Sequence, residues 1–371
     1  MSSQCAVGAS QSAGTDLRRN QRGPSFLAEF SSRGPTSDGR TKPEVVAPGF
    51  FLLSAGARPG QVGECDSAFT PAAGENSGGL LSIAGTSMAT PVVSGMAALI
   101  RQYFEEGWYP LGRTGSSDPM SPSGALIKAV ILNGASADVM TGVDNGSIGV
   151  TPVSAYDNNI GFGRVDLSSS LYIEGKTSVL ALVWDRQEIA DGEVREFSVT
   201  VEKANNCASE VLSATLVWVE RGSVVGCTRC LLNDLDLHVT RNGVDTVRYF
   251  PNGLSRPDNV NTAERVLIPD ANNGDTFTLH VTATNLNSPT QRFALVTTGC
   301  FANVTSSGIK SSEPTDPEPD SPPTPIDPKP GSSPTPIDPK PGSPPTSNGS
   351  KTFAGWFWLL CYLFYGNLPQ L

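Results

Sequence analysis

The sequence predicts an α/β region in the first half of the chain and an all-β region in the second half. Of its 371 residues, 38 are glycine and 30 are proline. These residues destabilise helix interiors by about 1 and 3 kcal/mol each, so the composition disfavours a helical bundle. Apolar residues recur at helical spacing in two segments before residue 172, and alternate with polar residues in several segments after residue 176.

The first predicted helix lies at 92–103, where apolar residues are spaced by three and four. Pro91 precedes them, and we expect it in the first turn, where a missing N–H costs nothing. The small residues Gly95 and Ala97 allow another backbone to approach closely. We therefore expect this helix to be buried on most of its sides.

A second helix is predicted from Ser123 to Asn133. Serine is a favourable N-cap residue, and the run from Ala125 to Leu132 is apolar except for Lys128. Gly134 follows as a typical C-terminal stop. The pattern indicates a helix that is buried around most of its circumference.

The second half of the chain predicts short antiparallel strands. Residues 235–240 and 276–282 alternate apolar and polar side chains, which is typical of a strand with one buried face. Asn242 and Gly243 supply a hairpin turn, and 293–296 reads as a core strand. Spacing of this kind indicates an antiparallel sandwich.

Four regions follow from these patterns: an α/β region at 1–172, a β-sandwich at 176–302, a proline-rich linker at 303–352 and an apolar tail at 353–371. The linker repeats an 11-residue unit and lacks the apolar residues of a core, so we expect a disordered polyproline II spacer. The tail is uncharged over 353–366. A membrane-spanning helix needs about 20 apolar residues, so this tail predicts membrane association rather than a complete span.

The charge and the glycosylation motifs restrict the partners and the location. The formal net charge is −10, and no cluster of lysine and arginine indicates a nucleic-acid partner. Asn145, Asn303 and Asn348 begin N-x-S/T motifs, which are compatible with secretion. The first residues have neither the basic nor the apolar stretch of a signal peptide. We expect a secreted or cell-surface protein.

Seven cysteines are present, and two of them, Cys227 and Cys230, form a C-x-x-C motif. A zinc site would need two further ligands, and no second pair of cysteine or histidine stands at suitable spacing. Disulfides in an oxidising compartment are therefore favoured over zinc or a redox centre.

The segment Gly85-Thr86-Ser87 carries the chemistry of the first region. It directly precedes the first predicted helix, so Ser87 lies at the positive end of the helix dipole, where free backbone N–H groups can bind an oxyanion. Gly85 allows a substrate to approach closely. For an isolated G-T-S, a simple helix cap would be the preferred interpretation.

The longer segment Gly85–Gly95 resembles the nucleophile motif of the subtilisin-like serine proteases. Phe30–Pro35 and Lys42–Gly49 are similar to the strand and loop that lead to the nucleophile in that family, and the resemblance covers residues 5 to about 168. It implies the C-terminal part of a parallel-sheet catalytic domain, with Ser87 as the nucleophile and Gly85 and Thr86 in its loop. It also implies protein or peptide substrates and no cofactor for the chemistry itself.

The resemblance assigns no residue of this chain to the aspartate or the histidine of the catalytic triad. Subtilases order the triad Asp, His, Ser along the chain, whereas His238 and His280, the two histidines of this chain, both follow Ser87. We therefore expect an N-terminally incomplete chain that is inactive alone. Asp234, Asp236 and His238 share one strand face, and a solvated polar face is the preferred interpretation over a substitute triad.

The segments 232–237 and 291–296 resemble the jelly-roll domain of certain alkaline and protist subtilases. Calcium sites occur in such domains, so the resemblance makes Asp234 and Asp236 candidate ligands of a structural calcium ion. Two carboxylates alone leave the solvated face as the preferred interpretation.

Together these patterns predict a serine endopeptidase of the subtilisin type that forms an acyl-enzyme on Ser87. The alternative is a non-catalytic cell-surface binding protein, or a pseudoprotease, that uses the jelly roll on a proline-rich stalk.

Overall fold

The computed structural model describes ten stretches of the chain. These are residues 5–11, 26–55, 80–115, 119–137, 141–143, 150–152, 156–203, 207, 209–243 and 247–301. The predicted linker at 303–352 and the predicted tail at 353–371 lie outside the described residues. Within the described stretches, no helix is long and apolar enough to cross a membrane.

Within the described residues, the first half of the chain contains two α-helices, one 3-10 turn at Leu167–Ser169 and six short strands. The helices are α1 (Thr86–Glu105) and α2 (Gly124–Asn133). The strands are β1 (Val7–Gln11), β2 (Val45–Phe50), β3 (Leu52–Ala55), β4 (Leu80–Ile83), β5 (Thr141–Val143) and β6 (Val150–Pro152). Strands β1 and β2 pair in parallel, while β3 with β4 and β5 with β6 pair antiparallel. A larger parallel sheet therefore stays a prediction.

Helix α1 is confirmed, but two expectations about it are wrong. It begins at Thr86, so Pro91 lies in the second turn. The N–H that proline lacks would have bonded the carbonyl of Ser87, four residues earlier, so that carbonyl has no intrahelical partner. The helix is also not buried on most sides, because Ala98 is exposed and Gly95 has open space where a Cβ would lie. Only the face that includes Val93 and Ile100 is buried.

Helix α2 is confirmed with both of its predicted ends. The hydroxyl of Ser123 accepts a hydrogen bond from the N–H of Leu126 at 3.0 Å, and Gly134 occupies the C-cap. Eight of its ten residues are buried, including Lys128. The helix is apolar around most of its circumference because it contacts α1 on one side and the β region on the other.

The β region consists of two four-stranded antiparallel sheets. Its strands are β7 (Leu180–Ala190), β8 (Val194–Thr200), β9 (Leu212–Trp218), β10 (Asn233–Arg241), β11 (Val247–Tyr249), β12 (Ala263–Ile268), β13 (Thr276–Leu286) and β14 (Thr290–Gly299). One sheet has the order β11-β10-β13-β8 and the other β12-β9-β14-β7. The alternation read at 235–240 is confirmed, because Leu235, Leu237 and Val239 are buried in the core of this region. The two sheets together fit a β-sandwich.

Two disulfides close loops of very different length. Cys207 and Cys300 are buried and separated by 93 residues, whereas Cys227 and Cys230 are half-buried and separated by 3. Loop-closure entropy assigns about 4.6 kcal/mol to the first bond and about 2 kcal/mol to the second. The long-range disulfide is therefore the main covalent contribution to the stability of the β region.

The C-terminal end of α2 docks on the sheet that contains β9 and β14. The side-chain oxygen of Asn133 accepts hydrogen bonds from the hydroxyls of Ser213 and Thr215, each at 2.9 Å. Its amide nitrogen donates to the hydroxyl of Thr298 at 2.8 Å. All four residues are buried, and each of these bonds links residues that are at least 80 apart in the chain. The two halves of the chain thus share a buried polar contact.

Charged residues of the β region bind both ends of α2. Asp185 accepts from the N–H and the hydroxyl of Ser123, at the positive end of the helix. Arg265, which is only 1% exposed, donates from Nη1 to the carbonyls of Leu132 and Ala135 at 2.7 and 2.6 Å, at the negative end. An anion at the N-terminus and a cation at the C-terminus both complement the helix dipole.

We predict that Arg265→Met lowers the free energy of unfolding by about 3 kcal/mol, since it leaves several buried carbonyls without a donor. Beyond α2, Nη2 of Arg265 bonds the carbonyl of Phe162, and Nε bonds the hydroxyl of Tyr156. Urea unfolding followed by tryptophan fluorescence measures the change.

The matched control is Arg292→Met. Arg292 forms one exposed ion pair with Glu188 at 3.2 Å, for which we expect a loss of at most about 1 kcal/mol. Equal losses in the two variants would contradict the role of Arg265.

Candidate functional site

The loop that carries Ser87 is fixed against the end of β2. The N–H of Gly85 donates to the carbonyl of Gly49 at 2.7 Å. A Cβ at Gly49 would lie 2.7 Å from the carbonyl oxygen of Gly85 and 2.8 Å from the Cβ of Ala9. Only glycine allows this approach, so the end of β2 determines where helix α1 begins.

Ser87 lies at the N-terminal end of α1 with its side chain exposed. Gly85 is the N-cap and supplies no side-chain cap. Within the described residues, neither the hydroxyl nor the N–H of Ser87 has a hydrogen-bond partner. Thr90, one turn later, donates its hydroxyl back to the carbonyl of Thr86 at 3.0 Å. The first turn therefore presents a free hydroxyl and a free N–H donor.

Both histidines lie in the β region, where they contact each other. His238 on β10 and His280 on β13 stack at 4.4 Å between ring centroids. His280 also contacts Glu196 at 3.1 Å and Thr240 at 3.0 Å. Burial, the neighbouring imidazole and Arg248 together lower the pKa of His238 to about 4. The structure does not bring either imidazole to Ser87.

A buried charge cluster lies behind β1 and β2. Glu44, which is 4% exposed, accepts from Lys128 Nζ at 2.6 Å, from Lys42 Nζ at 2.9 Å and from the N–H of Ala6 at 3.0 Å. Burial would raise the pKa of Glu44, but the two ammonium groups outweigh it and lower the pKa. Burial and Glu44 raise the pKa of the Cys5 thiol to about 12. This cluster connects β1, β2 and α2 and does not reach Ser87.

The prediction of a solvated face at Asp234 and Asp236 is wrong. These residues are 5% and 6% exposed. Asp234 Oδ2 accepts from Arg229 Nη2 at 3.3 Å, and Asp236 Oδ2 accepts from the hydroxyl of Thr284. The alternation along β10 correctly separated the two faces of the strand, but it could not show that the outer face is covered.

Two acidic residues that the sequence reading missed lie close to this pair. Glu264 on β12 is fully buried, and its Oε2 accepts from the N–H of Leu237. Asp258 is 3% exposed and organises its own loop by accepting from the N–H groups of Val260 and Asn261. Burial raises the pKa of Glu264 well above its usual value, and the neighbouring aspartates raise it further.

We call the group formed by Asp234, Asp236, Asp258 and Glu264 the acidic pocket. Three of its carboxylates each have one buried oxygen without a partner: Asp234 Oδ1, Asp236 Oδ1 and Glu264 Oε1. Buried polar atoms are nearly always hydrogen-bonded in native proteins, so three such oxygens in one place need an explanation. A proton or a cation would supply it. In the structure, however, no three acidic, histidine or cysteine side chains among the described residues lie close enough together to hold a metal ion. The only sequence signal for Glu264 would have been two adjacent charged residues, Glu264 and Arg265, inside a short strand whose other residues are apolar.

We predict that, in metal-free buffer, Asp234 contributes a stability that is lost as the pH rises from 5 to 7.5. Burial and the charge of Asp236 raise the pKa of Asp234 to about 6, from a usual value of 3.8. The folded state therefore binds more protons at this carboxyl than the unfolded state, and this stability is lost as the pH rises through about 6. The lowered pKa values of His238 and Glu44 act in the opposite direction, His238 between about 4 and 6.5, so the contribution of Asp234 is the difference between the wild-type protein and a variant. Denaturant unfolding at several pH values measures the slope.

In Asp234→Asn the free energy of unfolding should change with pH along a more positive slope than in the wild-type protein, whereas the exposed control Glu188→Gln should leave the slope unchanged. A slope that is the same in all three proteins would contradict the assignment.

Comparisons with known proteins show what the first half of the chain is similar to. Residues 5–163 match the model of the subtilase family. Two Dictyostelium discoideum proteins, each named a serine protease/ABC transporter B family protein, match 73% of this chain. They are tagB, at 26% identity over 310 residues, and tagD, at 28% over 313 residues. The serine protease AprX of Bacillus subtilis is 38% identical over 76 residues, which is 20% of this chain and 16% of AprX.

These matches give the class of protein that the first half of the chain resembles: residues 5–163 match the subtilase family of serine proteases. The chain spans only 16% of tagB and 17% of tagD.

Proposed function

We propose that Ser87 is the nucleophile of a subtilisin-type serine endopeptidase. Its exposed hydroxyl at the N-terminus of α1 is the observation that carries the proposal. The hydroxyl attacks the carbonyl carbon of the scissile peptide bond, and the N–H of Ser87 contributes to the oxyanion site. The leaving amine departs and water hydrolyses the acyl-enzyme. Gly85 and Thr86 keep the loop close to β2, and a cleft that borders Thr86 and is lined by Ala6, Gly8 and Pro43 accommodates the substrate.

We propose that the triad histidine and aspartate come from sequence outside these 371 residues. Both histidines of this chain are engaged on the β-sandwich, so neither serves as the base. An apolar groove between β1 and the two helices, lined by Val7, Val93, Ala97, Ile127 and Ile131, offers a surface on which further chain of the same domain can pack. The open space at Gly95 fits the same interpretation. The larger parallel sheet that the family implies would include β1 and β2.

The test is labelling with a fluorophosphonate, which reacts with an activated serine nucleophile. We expect the natural full-length product to be labelled, and its Ser87→Ala variant not to be labelled. The 371-residue chain should react at least about 100-fold more slowly, since Ser87 lacks a base there.

A matched control is Ser94→Ala, which changes an exposed hydroxyl two turns further along α1. Labelling that persists in Ser87→Ala would contradict the assignment of the nucleophile. Rapid labelling of the 371-residue chain would contradict the missing base. The transcript 5′ of Met1 and the intact mass of the native protein decide independently whether further sequence is present.

A second proposal is a non-catalytic cell-surface binding protein or pseudoprotease whose β-sandwich, arranged as a jelly roll, binds a partner from a proline-rich stalk. The absence of a histidine contact to Ser87 within the described residues favours it. A folded full-length product that no fluorophosphonate labels would support this function and exclude the first.

We propose further that a structural calcium ion binds at Asp234 and Asp236. Each of these carboxylates has one buried oxygen without a partner, and such oxygens suit a hard divalent cation. Binding would cancel the repulsion between carboxylates that burial has brought together. The ion has no role in the chemistry at Ser87.

Calcium at about 100 times its dissociation constant should raise the free energy of unfolding by about 2.7 kcal/mol relative to EDTA. Asp236→Asn should abolish this gain, while Glu188→Gln should keep it. No calcium-dependent shift in Tm at concentrations up to about 10 mM, beyond the range of extracellular calcium modules, would contradict the proposal.

We propose a secreted or cell-surface location, with membrane association through the tail at 353–371. Two disulfides support an oxidising compartment. The combined protease and transporter names of tagB and tagD support an association with membranes. Fractionation of cells with an antibody against the β region tests both statements.

A further inference from the structure

We propose that the Cys227–Cys230 disulfide is a thiol-exchange site, reduced by small thiols such as glutathione while the protein stays folded. The bond lies in the loop at 219–232, which crosses from β9 in one sheet to β10 in the other. This reaction does not use Ser87, so it stands or fails independently of the proteolytic function.

The position of the bond favours attack by a thiolate. Both cysteines are half-exposed, and the residues around them, Val225, Gly226, Thr228 and Arg229, are exposed. Thiol–disulfide exchange requires access of the attacking sulfur along the S–S axis. By contrast, Cys207 and Cys300 are 9% and 1% exposed. A small thiol therefore reaches the first disulfide and not the second.

The loop also has an acceptor ready for the reduced form. Cys230 Sγ lies 3.3 Å from the carbonyl oxygen of Cys227. A thiolate R–S⁻ forms a bond to Cys227 Sγ, the Cys227–Cys230 bond breaks, and Cys230 leaves as a thiolate. After protonation, its S–H can donate to that carbonyl. A second R–S⁻ attacks the sulfur of R in the mixed disulfide, which releases R–S–S–R and the Cys227 thiolate, protonated in turn. The protein gains two electrons and two protons, and two thiols are oxidised to one disulfide.

Opening of the bond leaves the strands in place. Glu220 holds the end of the loop next to β10, because its carboxylate accepts from the N–H groups of Leu232 and Asn233. None of the four residues in the segment that the disulfide closes belongs to the buried apolar core of the β region. The reduced protein therefore stays folded, which separates this bond from a structural disulfide.

The segment closed by the disulfide contains Arg229, which connects it to the acidic pocket. Arg229 Nη2 donates to Asp234 Oδ2 at 3.3 Å and to the carbonyl of Asn259 at 3.2 Å.

The test is differential alkylation of the native protein. The protein is incubated with glutathione, quenched with iodoacetamide and digested with trypsin. Cleavage after Arg221, Arg229 and Arg241 separates Cys227 from Cys230. We expect labelling of this pair at least about tenfold faster than of Cys207 and Cys300, because exchange needs access. Equal rates for the two disulfides would overturn the proposal, as would unfolding, by circular dichroism, in step with the reduction of Cys227–Cys230.

Discussion

Helix α2 is bound at both of its ends by charged residues of the β region, and much of the structure depends on this arrangement. Asp185 bonds the residue that caps its start, and Arg265 bonds the carbonyls at its end. Each charge compensates one pole of the helix dipole, and the buried guanidinium has carbonyl oxygens rather than a carboxylate as partners. The helix in turn packs against α1, which begins at the Ser87 loop. The β region thus supports the Ser87 loop through one short helix.

The sequence predicted the elements better than their surroundings. Helix α2 was readable from both ends, since Ser123 and Gly134 act locally and apolar residues fill the turns between them. The strands of the sandwich were readable because their alternation has a period of two. What covers a face is decided by residues distant in the chain. Asp234 was therefore predicted to be solvated, although it is buried. Likewise, nothing in the sequence near Arg265 indicated its partners, which lie more than 100 residues away.

The candidate site shows the same division. Ser87 could be proposed as a nucleophile because Gly85–Gly95 is a contiguous motif, and the chemistry proposed for it depends on the N-terminus of the helix in which it lies. The acidic pocket was read only in part, because its members come from β10, from β12 and from the loop between β11 and β12. Burial of so many carboxylates costs free energy unless protons or a cation neutralise them. Through this pocket, the pH and the cations of the solvent therefore act directly on the stability of the fold.

The Cys207–Cys300 disulfide also determines how the β region would carry a mechanical load. Strand β14 lies between β7 and β9, and Phe301 directly follows the bonded cysteine. Tension applied to the chain beyond Phe301 would pass through the covalent bond to Cys207, close to the start of β9, before it could shear the hydrogen bonds of β14. A sandwich attached in this way would resist a pull on its C-terminal side without unfolding, and the force would be shared between two strands of one sheet.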